Sequence, residues 1–308
     1  MGLPKVSGVV TATVLPFDEA GAIDWPSFSR VLAYCAKPEH VAAVFVNGHA
    51  GEGASLSAQE RVAVIRFARE TLGAGKPVMA GVLANSTGEA IALAGEARDA
   101  GADCAVLFPP AAFQGVTATP PAGPVAFVEA VARAVDLPLA IFQYPLASGF
   151  GYNTETLVAL ARIPSVCMIK EGSGDPTVYD ENVRRLRSAA PQVSILATNA
   201  GWLMAQTSIG GDGIVSGLAS LAPRWLADLW RAVEAGDLRA MRAANDRIQP
   251  LVRSIYAPPR GDAHTRMKVA LQHLGLMRHA GPRGPLLPIE AAAADRVRRA
   301  IDESGLQA

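Results

Sequence analysis

Along this chain, short runs of Val, Ile, Ala and other apolar residues alternate with longer stretches in which apolar positions return every three to four residues. The first pattern is that of buried strands and the second that of amphipathic helices. Their regular alternation predicts repeated strand–helix units and a parallel sheet. The apolar runs predict strands over residues 8–15, 42–47, 77–81, 104–108, 138–142, 166–170, 194–197 and 213–216. Helical periodicity between them covers residues 57–72, 86–100, 124–135, 154–162 and 178–189. Two of these segments open on capping signals, Ser57 followed three residues later by Glu60 and Ser86 by Glu89.

Strands that are apolar on both faces suit a sheet covered by helices outside and packed with side chains inside. Eight such units predict a closed (β/α)₈ TIM barrel better than an open sheet. Beyond the eighth strand the chain shows helical periodicity over residues 223–235, 238–256, 263–276 and 289–302, with no strands between. The first of these completes a barrel domain spanning residues 1–235, and the others form a C-terminal helical extension spanning residues 236–308.

Composition narrows the range of partners. With 308 residues, half of them hydrophobic, the chain can bury a large core, and its formal charge is zero with no basic run. That balance lacks the electrostatic footprint that nucleic acid or an anionic membrane requires. Apolar runs are broken before the ~18 residues of a membrane span, and Met1–Val10 has no signal-peptide pattern. A cytoplasmic protein with a small-molecule partner is expected. Cys35, Cys104 and Cys167 are odd in number and widely spaced, which points to reduced thiols. The histidines fall at no ligand spacing joined to strand-end carboxylates, so neither a metal nor another cofactor is expected.

Barrel enzymes carry their reacting groups at the C-terminal ends of the strands. The sixth run ends in Val166-Cys167-Met168-Ile169-Lys170-Glu171, in a chain with only five lysines. Alternation puts Val166, Met168 and Lys170 on one face, which in a barrel can be the interior. A desolvated lysine loses its proton more readily and becomes a nucleophile toward carbonyls. Pairing with Glu171, or reaching out to water, is the structural alternative. After the second run, Asn47-Gly48-His49-Ala50-Gly51-Glu52 places two glycines where backbone N–H groups can turn toward an anion. The fifth run ends in Phe142-Gln143-Tyr144-Pro145, with Phe142 and Tyr144 on one face and a phenol able to move protons. Gly210-Gly211-Asp212-Gly213 at the eighth run fits close backbone approach to a ligand, a phosphate site or a plain bulge.

Taken in order, these stretches resemble the dihydrodipicolinate synthase/N-acetylneuraminate lyase family of class I aldolases. The likeness also rests on Thr13-Val14-Leu15-Pro16-Phe17 and Phe108-Pro109-Pro110, and runs from about Gly8 to about Val215. It implies a lyase in which Lys170 forms a Schiff base with pyruvate or a related 2-oxo acid, without a metal. Gly48 to Ala50 would hold the substrate carboxylate, Val215 would close the other side, and the protein would be a homo-oligomer, dimer or tetramer.

The departures from the family pattern fall in the site. The positions between Gly48 and Gly51, which usually carry hydroxyls, are His49 and Ala50; the usual acid/base tyrosine is Phe142. The synthase arginine that grips an aldehyde's carboxylate is Ala147, and the tyrosine lent across the family interface is Ala111. Tyr144 or His49 must then carry protons. The mouth formed by Phe142, Ala147, Ala111, Phe113 and Phe150 would favour a less polar partner than the lysine-pathway synthase uses. Three readings stay open: an aldolase for another 2-oxo acid, a Schiff-base dehydratase or decarboxylase of a sugar-acid derivative, and a barrel that only binds a metabolite.

Overall fold

The computed structural model describes residues 5–115 and 121–308. In it the eight apolar runs become eight parallel strands that close into a barrel in chain order. They are β1 (Gly8–Ala12), β2 (Val41–Val46), β3 (Val78–Val82), β4 (Cys104–Leu107), β5 (Leu139–Phe142), β6 (Val166–Glu171), β7 (Ser194–Ala197) and β8 (Gly213–Ser216). The first is shorter than its apolar run because the chain leaves the ladder after Ala12, where the Val14 N–H turns to Ser220 Oγ at 3.1 Å.

Helices α1 (Trp25–Ala36), α2 (Ala58–Leu72), α3 (Thr87–Asp99), α4 (Ala122–Ala134), α5 (Thr154–Ala161), α6 (Pro176–Ala189), α7 (Leu203–Ile209) and α8 (Pro223–Glu234) follow the strands. The pattern of apolar positions had singled out neither α1 nor α7. Helix α1 is started by Asp24, whose carboxylate accepts the Ser27 N–H, and α7 spans only 7 residues, too few to show a period. At α2 the capping box is complete, with Ser57 and Glu60 exchanging both hydrogen bonds. At α3 it is half made: Ser86 accepts from the Glu89 N–H, while the Glu89 carboxylate takes the Asn85 N–H instead.

Side chains of Val10, Ala43, Phe45, Met79, Cys104, Val106, Ala140, Met168, Leu196 and Val215 fill the barrel, and their strand neighbours pack outward under the helices. The alternation expected on β6 breaks at its first residue. Val166 belongs to the outer core and Met168 to the inner one, but the register against β5 slips between Leu139 and Ala140, making Cys167 an extra residue. A bulge of this kind restores Met168 and Lys170 to the inward face while turning Val166 away from it.

The chain continues through α9 (Leu238–Ile255), α10 (Ala263–His273) and α11 (Ala291–Ser304), and none of the described helices is long and apolar enough to cross a membrane. These helices are tied to the top of the barrel by charge. Lys268 of α10 is wholly buried and pairs with Glu52. The other Glu52 oxygen accepts the Arg283 N–H at 2.8 Å, and the Arg283 guanidinium grips Glu60 with two hydrogen bonds of 2.8 Å. A buried pair of this kind gives little net stability when intact, but losing one partner strands a charge. Lys268→Met should therefore lower stability by about 3–5 kcal/mol in chemical denaturation, and adding Glu52→Gln should return part of that loss.

Candidate active site

Three strand ends meet at the C-terminal mouth of the barrel. Lys170, on β6, rises above Met168 and ends with Nζ 3.9 Å from the centre of the Phe142 ring. Its nearest acceptor is the Gln143 carbonyl, 3.2 Å away, and solvent reaches only part of the side chain. A carbonyl and a ring face are poor replacements for water around an ammonium. Burial accordingly pushes Lys170 down from 10.5 to about 7, against the opposing pull of the Glu171 carboxylate. Glu171 itself alternates to the outer face, where it accepts from Asn182 Nδ2 at 2.8 Å, and among the described residues it makes no ion pair with Lys170. Gly172 leaves the amine its room, since a side chain there would begin 2.6 Å from Nζ.

Across the mouth, β5 delivers Phe142 and Tyr144 to the same inner face, as the two-residue period of a strand requires. The segment is fixed by Gln143, fully buried, whose amide donates to the Tyr152 carbonyl at 2.7 Å and accepts the Tyr152 N–H at 2.8 Å. The Phe142 ring stacks on Phe108 with centroids 4.0 Å apart, and His49 stands edge-on to both. His49 Nε2 lies 2.5 Å from the Tyr144 hydroxyl. Burial pushes Tyr144 up to about 12. Burial also pushes His49 down to about 4, helped by the nearby charges of His264 and Lys170, even though the ring is open to solvent at the mouth. The phenol thus holds its proton and the imidazole is neutral; with the ring proton on Nδ1, Tyr144 donates and His49 Nε2 accepts.

The loop after β2 begins and ends in strain. Asn47 and Glu52 have φ of 56° and 50°, a left-handed conformation uncommon outside glycine. Between them Glu52 N–H donates to the His49 carbonyl and Gly53 N–H to the Gly48 carbonyl, which curls the loop tightly. The N–H groups of Gly48, His49, Ala50 and Gly51 donate to no other described residue. Successive free N–H groups in a tight curl form a concave cradle for an anion. Gly48 is needed because the Phe45 ring lies beneath it, 2.7 Å from where a side chain would start.

This chain matches the dihydrodipicolinate synthetase family over residues 5–304. It belongs to that family. A 4-hydroxy-tetrahydrodipicolinate synthase from Leptothrix cholodnii is 33% identical over 305 residues, covering 98% of this chain and 99% of the relative. The dihydrodipicolinate synthase structure from Agrobacterium tumefaciens superposes with a TM-score of 0.84 at 30% identity, covering 97% of this chain and 98% of the other. An E. coli K12 prophage protein of the dihydrodipicolinic acid synthase family, solved in complex with pyruvate, shares the fold at 22% identity, with a TM-score of 0.88 over 97% of this chain and 99% of its own. The protein is an enzyme of the lyase class, built on the family's barrel.

Not every residue singled out from the sequence lies at the mouth of this family barrel. Lys170, His49, Tyr144, Phe142, Gly48 and Ala50 are brought together there. Val215 packs inside the barrel with Phe142 and Met168. Gly213 is a correction: it opens β8 at the opposite end of the strand, and its missing side chain makes room for the Gly8 backbone and Leu196 rather than for a ligand. Ala147 sits exposed on the turn after Pro145, and Ala111 is exposed beyond β4. Phe113 turns away to stack edge-on against Phe127 of α4, 5.9 Å between centroids, so the aromatic wall consists of Phe108, Phe142, Tyr144 and Phe150 instead.

The sequence reading also missed His264. It stands on α10 in the C-terminal extension, away from the strand ends that carry barrel chemistry. A signal was available in its spacing, four residues before Lys268, which puts both side chains on one helix face.

Proposed function

We propose that the protein is a Schiff-base-forming lyase acting on pyruvate or another 2-oxo acid, with Lys170 as the nucleophile. The observation that carries this reading is the Lys170 amine, which burial pushes down to about 7, at the same barrel mouth as the Gly48–Gly51 N–H groups that donate to no described residue. The 2-oxo acid's carboxylate fits the cradle of Gly48 to Ala50, which presents its keto carbon to Nζ. The neutral amine attacks that carbon, water leaves, and the resulting iminium draws electrons from the neighbouring carbon, so that a carbon–carbon bond to that neighbour can break or form, or the neighbour can lose a proton and the enamine expel a hydroxyl from the next carbon along.

Protons move through Tyr144 and His49. The phenol oxygen takes a proton from the substrate as its own proton passes to His49 Nε2, and the transfer reverses to serve as an acid. The family's phenol is thus replaced from one rung higher on the same strand face, Tyr144 for Phe142. With Ala147 in place of an arginine and an aromatic wall at the mouth, the site favours a less polar second substrate than the carboxylated aldehyde used by the lysine-pathway synthases. Aldol chemistry fits better than simple metabolite binding, because a binding protein has no use for a desolvated lysine. A cytoplasmic dimer or tetramer belongs to the same reading, and the free thiols of Cys35, Cys104 and Cys167 support a reducing compartment.

Borohydride trapping with pyruvate and a panel of longer 2-oxo acids, followed by intact mass and peptide mapping, tests the reading. The expected result is one adduct on Lys170. Protonation removes the attacking lone pair, so the trapping rate should rise with pH through about 7, level off above about 8 and fall near tenfold per pH unit below about 6. Absence of any adduct on the folded protein would sink the proposal. Tyr144→Phe should slow turnover by about 10²–10⁴-fold while leaving a slow adduct on Lys170; wild-type turnover in that variant would remove Tyr144 from the mechanism.

A further inference from the structure

Helix α10 presents His264, Met267 and Lys268 on a single face, since side chains three and four residues apart are neighbours on a helix. Two of these three are anchored at the loop that follows β2 and the turn that follows β8. Lys268 pairs with Glu52 at the end of the loop. Met267 reaches Gly217: its Cε lies 3.4 Å from where a side chain on Gly217 would start, and Ala50 Cβ lies 3.7 Å from the same point. Tyr256, at the end of α9, stands at the same corner, near Ser216 at the end of β8.

One turn nearer the helix start on this face stands His264, close enough to His49 for the two rings to influence each other's ionisation. Its ring is largely enclosed, and burial together with Lys268 pushes it down to about 4, leaving a neutral imidazole with one N–H to donate. Among the described residues neither ring nitrogen makes a hydrogen bond. Beside it stand the unpartnered N–H groups of residues 48–51 and, at Ala50, a methyl group where relatives usually present a hydroxyl.

We propose that His264 is a substrate-binding residue, contributed by the C-terminal extension, that donates its imidazole N–H to the carboxylate of the 2-oxo acid held by the Gly48–Gly51 N–H groups. It supplies the hydrogen bond that a hydroxyl at position 50 would otherwise give. The inference rests on the Schiff-base reading and adds that recognition of the acid end depends on the extension as well as on the barrel.

The test compares wild type, His264→Ala and His264→Gln by the concentration of carbonyl compound that gives half-maximal borohydride trapping on Lys170. Two compounds are used, the best-trapped 2-oxo acid and hydroxyacetone, a ketone with no carboxylate. His264→Ala should raise the half-maximal concentration of the 2-oxo acid about tenfold or more, the usual loss for a hydrogen bond to a charged group, and leave hydroxyacetone within about twofold. His264→Gln, which keeps an N–H donor, should fall between wild type and the alanine variant. Equal weakening with both compounds would reveal a merely structural role and overturn the proposal, as would an unchanged concentration for the 2-oxo acid. If wild type forms an adduct and the alanine variant matches it, only this inference fails; if wild type forms none, the Schiff-base reading fails with it.

Discussion

The site depends on the desolvation of one ammonium group. At the top of β6 the fold surrounds Lys170 with a ring face, one carbonyl and the glycine that gives it room, and supplies no carboxylate at contact distance to restore the lost hydration. An isolated buried charge is costly, and the least costly response is to lose the proton. Much of the surrounding structure serves this condition. The bulge at Cys167 brings Lys170 inward, Gln143 and Tyr152 lock the strand that carries the ring, and the outward turn of Glu171 keeps its carboxylate away.

The second lysine buried at this end of the molecule shows the opposite solution. Lys268 is no less enclosed than Lys170, but it meets Glu52, lies 4.4 Å from the Phe17 ring and reaches the Gly281 carbonyl. One lysine is paired and holds the loop; the other is unpaired and available to react. The two are linked through the Asn47–Glu52 loop, whose strained ends are fixed by Arg61 on one side and by the C-terminal extension on the other. The extension therefore helps to shape the mouth as well as cover the barrel.

Much of this was legible in the sequence, for identifiable physical reasons. Strands apolar on both faces, separated by amphipathic segments, leave little choice but a helix-wrapped barrel, and all eight strands lie where the apolar runs predicted them. Lys170 was visible because a lysine is rare both in this chain and inside an apolar run. Tyr144 was visible because a strand repeats its face every two residues. The failures have equally local causes. Val166 was turned outward by a bulge that periodicity does not encode, and Gly213 proved to be a close contact between strands, which has the same sequence signature as a close contact with a ligand. His264 and the Lys268–Glu52 pair join parts of the chain far apart in sequence, and no short-range pattern reports such contacts.

The most direct test of this account is the ionisation of Lys170 itself. With only five lysines in the chain, labelling their side chains with ¹³C gives a small set of NMR signals, and Lys170→Arg identifies the one of interest. The account predicts that this signal titrates with a midpoint near 7 in the free protein. A Lys170 signal that stays at its charged position until the pH exceeds about 9 would contradict it, because the amine would then be solvated and the mouth would have no preformed nucleophile.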